Sequence, residues 1–151
     1  MGEKEVESIV CRTVSRIMIP FIQLFGIYVI VHGESSPGGG FQGGIILGTS
    51  IILFGIVFSI SAIKNRISKK SMIVLMSTGL IIYSGIGVID MVSNGKYLEY
   101  SKLPLPLPNN EISAISILCV EIGIGITVMS VTILLFIYLA GEKSGIRLDT
   151  W

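Results

Sequence analysis

Four apolar blocks, at residues 14–31, 45–63, 72–92 and 114–140, constrain this chain more than any other feature. A helix needs roughly 20 apolar residues to cross about 30 Å of hydrocarbon, and each block approaches or exceeds that length. The apolar residues fall in blocks rather than in amphipathic stripes. Mean hydropathy is +0.82, and 14% of residues are charged, against about 25% in soluble domains. The chain is expected to be an all-α integral membrane protein, residues 1–151 forming a single transmembrane domain of four helices.

The first block is interrupted by Pro20 and Gln23. Upstream, Val6, Ile9, Val10, Thr13 and Ile17 recur at helical spacing among charges, predicting an amphipathic lead-in. Pro20 is expected to kink the helix or to mark its first turn. A cleaved signal peptide is not expected, because Glu3, Glu5 and Glu7 precede the block and no small-residue cleavage site follows.

Basic residues predict the orientation. With four spans, Lys4, Arg12, Arg16, Lys64, Arg66, Lys69, Lys70, Lys143 and Arg147 share the side of both termini, and only Lys96 and Lys102 lie opposite. Both termini are therefore expected in the cytoplasm, with segments 32–44 and 93–113 outside. The alternating Leu-Pro strip at 103–108 favours an extended path along a surface, and Asn110 and Glu111 suit the start of the fourth helix. Cys11 and Cys119 form neither a disulfide framework nor a metal motif.

Segment 32–44 reads HGESSPGGGFQGG. Gly38, Gly40 and Gly43 formally match a dinucleotide fingerprint, but a span precedes them where a strand is required, and no acid stands near position 60. A phosphate loop fails too, since Ile45 and Ile46 follow Gly44. His32 and Glu34 have no further ligand nearby, so no metal site and no cofactor are expected. With one histidine and no nucleophile–base pair, the chain is not expected to be an enzyme by itself. Nothing points to nucleic acid.

Helix packing explains the glycines better. Gly40, Gly44 and Gly48 recur every four residues, and Gly55 continues that face; small residues so spaced let helices approach closely in lipid. Pro37 starts the segment, Gly38 and Gly39 give it backbone freedom, and Phe41 stands as a large side chain beside Gln42, Gly43 and Gly44. Irregular backbone at membrane depth has to be covered by protein or line a wet cavity. The segment is expected to press against another subunit, with Phe41 in a pocket there.

The run Pro37-Gly38-Gly39-Gly40-Phe41-Gln42-Gly43-Gly44, with the lead-in Arg12-Thr13-Val14 and the four-span plan, resembles the B subunit of Mrp-type multisubunit sodium/proton antiporters. That subunit type also occurs in membrane-bound hydrogenases and related complexes. The resemblance implies a small non-catalytic subunit of a cation/proton antiporter module in the cell membrane. Its implied partners are other complex subunits, large antiporter-like ones included, together with membrane lipid, Na+ and H+. Whether the complex is a bare antiporter or carries a redox enzyme is left open. The alternatives are a stand-alone homo-oligomeric channel or carrier, which broken helices would permit, and a purely structural scaffold.

Glu121 stands deep inside the fourth block, where ionisable groups are costly and face a bundle interior or a wet cavity. Counted at 1.5 Å per residue from the outer ends of the blocks, Gln23, Thr49, Ser50, Tyr83 and Ser84 come out at a similar depth. A polar layer centred on Glu121 is expected, serving either an ion path or helix packing, with no Lys or Arg of this chain at that depth. Glu121 would then carry its proton, or pair with a sodium ion or a cationic side chain of another subunit. In the packing version it bonds to Tyr83 or Ser84.

Overall fold

The computed structural model describes the backbone of residues 3–143 apart from 36, 105 and 107, and within that range the side chains of residues 9–140 except Lys102. Ser36 of the glycine-rich segment, Leu105 and Leu107 of the Leu-Pro strip, and Arg147 of the basic set lie outside the described residues. Helix α1 is Glu3–Val31, α2 is Gly40–Phe58, α3 is Ile60–Lys64, α4 is Lys69–Val92 and α5 is Asn109–Lys143. A 3-10 turn, Tyr100–Lys102, interrupts the loop before α5. Among the described residues there is no strand, and α1, α2, α4 and α5 are long and apolar enough to cross a membrane.

Local chemistry accounts for the boundaries. Pro20 lies inside α1 rather than at its first turn. Gly39, at φ 94°, precedes α2; only glycine adopts that conformation without strain. Ser68 caps α4 by accepting the Ser71 N–H at 3.1 Å. The Pro108 carbonyl accepts from the Glu111 and Ile112 N–H groups, both at 3.0 Å, to open α5.

One expected span is cut short. The second apolar block was expected to run unbroken over 45–63, but α2 begins at Gly40 and stops at Phe58. Ser59, at φ 117° and ψ 144°, turns the chain. Its hydroxyl accepts the Ser61 N–H at 3.2 Å and so starts α3. The turn buries Ile63 in a cluster with Met72, Ile133 and Ile137. Burying Ile63 offsets the strain of a non-glycine residue in this conformation.

The helices stand in the order α1, α2, α5, α4, each packed against the next. Backbones rather than large side chains meet at these seams. A Cβ added at Gly44 would stand 2.6 Å from the Gly125 carbonyl oxygen, and one at Gly123 would stand 2.8 Å from that of Gly79. A Cβ at Gly43 would stand 2.7 Å from the Gly26 carbonyl oxygen. Between α4 and α5, the Thr127 hydroxyl donates to the Gly123 carbonyl at 2.9 Å and approaches that of Met76 at 3.3 Å.

The glycine face thus meets the chain's own helices. Gly40, Gly44 and Gly48 pack against α5, and Gly43 against α1. The sequence expectation had placed another subunit there. Successive turns of α5, from Glu121 to Thr132, cover this face, so no second chain is required at the glycines. Phe41 lies on the outside, 59% exposed, and so remains open to a neighbour.

Candidate functional site

Glu121 sits on α5 where α2 begins. Gly40, the first residue of α2, lies against the Glu121 backbone carbonyl, and the Glu121 carboxyl occupies the space that a side chain at Gly33 would take. A Cβ at Gly39 would stand 2.8 Å from Glu121 Oε1. The three glycines therefore form a cradle, and their missing side chains are what admit the carboxyl. Its Oε2 is buried without a hydrogen-bond partner among the described residues. An unpaired buried oxygen costs free energy, and ionisable groups within a span are expensive to keep.

Beside this cradle, Glu121 and Glu34 line a cavity of about 160 Å3 with Val31, Ala114, Ile115 and Leu118. Glu34 is exposed and Glu121 is partly covered. His32 turns outward, its ring stacked on Tyr28 at 4.1 Å and its Nδ1 3.1 Å from the Tyr28 carbonyl. Among the described residues no group of three His, Cys, Asp or Glu side chains is placed to hold a metal.

The other residues of the expected layer are distributed differently. Depths counted from Ala114 and Gly44 treat the outer ends as flush, but Gly44 packs at Gly125. Helix α5 overhangs the start of α2, since Gly40 meets Glu121, twelve residues after Asn109. At 1.5 Å per residue the overhang is about 18 Å. Thr49 lies nine residues beyond Gly40, about 13 Å farther along. It is exposed, and its hydroxyl donates to the Ile45 carbonyl at 2.8 Å. Gln23 lines a separate cavity with Ser50 and Arg66. An arginine of this chain therefore shares the space of Gln23, away from the level of Glu121.

Tyr83 and Ser84 do fall near the level of Glu121, because Gly79 packs on Gly123 and Ile82 touches it. Tyr83 faces another side of α5, lining a cavity with Leu80, Ile124, Thr127 and Val128. It lies beside Tyr97, whose ring covers Gly87. Next to them, burial and then Tyr83 push the Tyr100 phenol above its usual range. The expected layer is thus two clusters at different heights, with Glu121 in the one nearer the start of α2.

Asp90 escaped the sequence reading. It is 0% exposed, and neither carboxylate oxygen has a hydrogen-bond partner among the described residues. Its signal was its place inside the third apolar block, three residues before Ser93; nearness to the block's end hid it.

Residues 10–134 match the family described as the domain related to the MnhB subunit of Na+/H+ antiporter. The chain belongs to this family. The MnhB match runs from α1 to α5, so it takes in the glycine-rich segment and Glu121. A Staphylococcus haemolyticus protein named as antiporter subunit mnhB2 is 31% identical over 140 residues, covering 90% of this chain and 96% of that one. The protein of the same name from Staphylococcus aureus strain Newman is 29% identical over 137 residues, with the same coverage. MnhB membership and the four apolar helices make this a multi-pass protein of the cell membrane and a subunit of a multisubunit Na+/H+ antiporter module.

Proposed function

We propose that this MnhB-type subunit forms a single transmembrane domain with both termini in the cytoplasm, does no catalysis itself, and contributes Glu121 as an ionisable group on the antiporter's ion path. The observation that carries the proposal is the Glu121 carboxyl, set into a glycine cradle with Oε2 unpartnered and opening on a cavity shared with Glu34. A cation arriving from outside meets exposed Glu34 first and Glu121 next. The chain has too few charged groups in its spans to carry an ion across alone, so the path continues through other subunits, large antiporter-like ones among them. Exposed Phe21, Leu24, Phe25 and Phe41 give those neighbours apolar surface to cover. The relatives carry antiporter names, which favours an antiporter with no attached hydrogenase.

Glu121→Gln in the complete complex tests the role of the carboxyl. It keeps the size of the side chain and removes its charge and titratable proton. Normal assembly with Na+/H+ antiport reduced about tenfold or more, read in everted membrane vesicles, is the expected outcome. Unchanged antiport in a fully assembled complex would leave Glu121 a packing residue.

A further inference from the structure

The end of the bundle that holds the start of α1 carries a second built feature, which the ion path does not use. Arg16, Ile19, Phe54, Phe58, Ala62 and Arg66 line a groove of about 550 Å3 between α1, α2 and the turn into α3. A neighbouring cavity of about 170 Å3 shares Ile19, Phe54 and Arg66 with it and extends to Gln23, Ser50 and Ile51. The size falls within the roughly 300–1,000 Å3 typical of ligand sites.

Both arginines are held from behind. The Arg16 guanidinium lies over the Phe58 ring at 5.7 Å, and that of Arg66 over Phe54 at 5.9 Å. Attraction to a ring face steadies a guanidinium and leaves N–H donors for another partner. The turn at Ser59 is what brings Arg66 back to this height, since it folds α3 against Gly55 and buries Ile63. Among the described residues no carboxylate pairs with either arginine. The groove therefore presents two cations beside an apolar floor, at the end of the α1 and α2 spans.

We propose that this groove binds one anionic phospholipid, its phosphate between Arg16 and Arg66 and its acyl chain along Ile19, Phe54 and Ile51. Charge complementarity selects the headgroup, because a guanidinium fork matches a phosphate better than any neutral group. The apolar floor distinguishes a lipid from a free anion, which gains nothing from Ile19 or Ile51. Gln23 marks the depth to which the chain reaches; the Ser50 hydroxyl is already taken by the Leu47 carbonyl at 2.6 Å. Lipid in this groove would glue α1 to α2 where glycine packing has ended.

The purified antiporter complex, exchanged through nanodiscs of phosphatidylcholine and phosphatidylglycerol and read by native mass spectrometry, tests the proposal. Wild type retains one phosphatidylglycerol. Arg16→Gln and Arg66→Gln each lower that retention about fivefold, and the double variant about thirtyfold. Ile19→Trp fills the floor while leaving both arginines, and it also loses the lipid; it reads the proposal even where the double variant fails to assemble. Lys70→Gln, outside the groove, retains the lipid as wild type does. Equal retention in the arginine variants would overturn the proposal. So would retention in Ile19→Trp combined with displacement by inorganic phosphate, which would assign the site to a free anion. A structure of the complex with another subunit's side chain in the groove would overturn it as well.

Discussion

The two ends of α2 are built on opposite principles. Both are entered or left through a residue of positive φ, Gly39 at 94° and Ser59 at 117°. At the Gly39 end glycine takes the conformation without cost, and the absence of side chains lets the backbone close around a carboxyl. At the other end a serine is forced into it, and the turn is held by burying Ile63 and by drawing Arg66 over Phe54. One end brings an acid against bare backbone; the other gathers cations around a groove. The same helix thus separates a negative site from a positive one by its own length, and a substitution should act on one end without reaching the other.

The strongest way to break the comparison is Gly40→Leu. A Cβ there meets the backbone carbonyl of Glu121, which cannot swing aside as a side chain does. Overpacking at such a contact should cost about 3 kcal/mol or more and abolish co-purification with the rest of the complex. Gly33→Ala is milder, because the added methyl meets only the flexible end of Glu121. The subunit should assemble with the carboxyl displaced, and Na+/H+ antiport should fall about tenfold in vesicles. Normal antiport in that variant would show that the cradle is dispensable.

Much of this was legible in the sequence. The four helices follow from apolar block length alone, and the glycine spacing correctly marked a close-packed face. The identity of the partner was not legible: Gly44 and Gly125 are brought together only by the fold. Nor was the end of α2, because residues 60–63 continue the apolar composition while the break depends on the φ of a single serine. The height of Glu121 was lost for a related reason. Phe41, Gln42, Gly43 and Gly44 lack the hydropathy of a span, so α2 was expected to start at 45, and the overhang of α5 cannot be counted from block edges.

Two smaller effects sharpen the contrast. Phe41→Ala removes an outward side chain at the carboxyl end of the comparison. It should leave the fold intact and weaken association with neighbouring subunits by about 2 kcal/mol, seen as lower recovery of the complex after size-exclusion chromatography. Ser59→Gly relieves the strained turn but loses the bond to the Ser61 N–H. A net stabilisation of up to about 1 kcal/mol is expected, measured as a small rise in the thermal unfolding midpoint, with antiport unchanged.

The central claim is that the Glu121 carboxyl exchanges its proton when the antiporter handles sodium. Infrared difference spectroscopy of the reconstituted complex, switched between sodium-free and sodium-containing buffer, reads carboxyl protonation directly. A carboxyl band that appears in the wild-type difference spectrum and is missing from Glu121→Gln, with the complex equally assembled in both, is the predicted result. Identical difference spectra for the two proteins would contradict the claim.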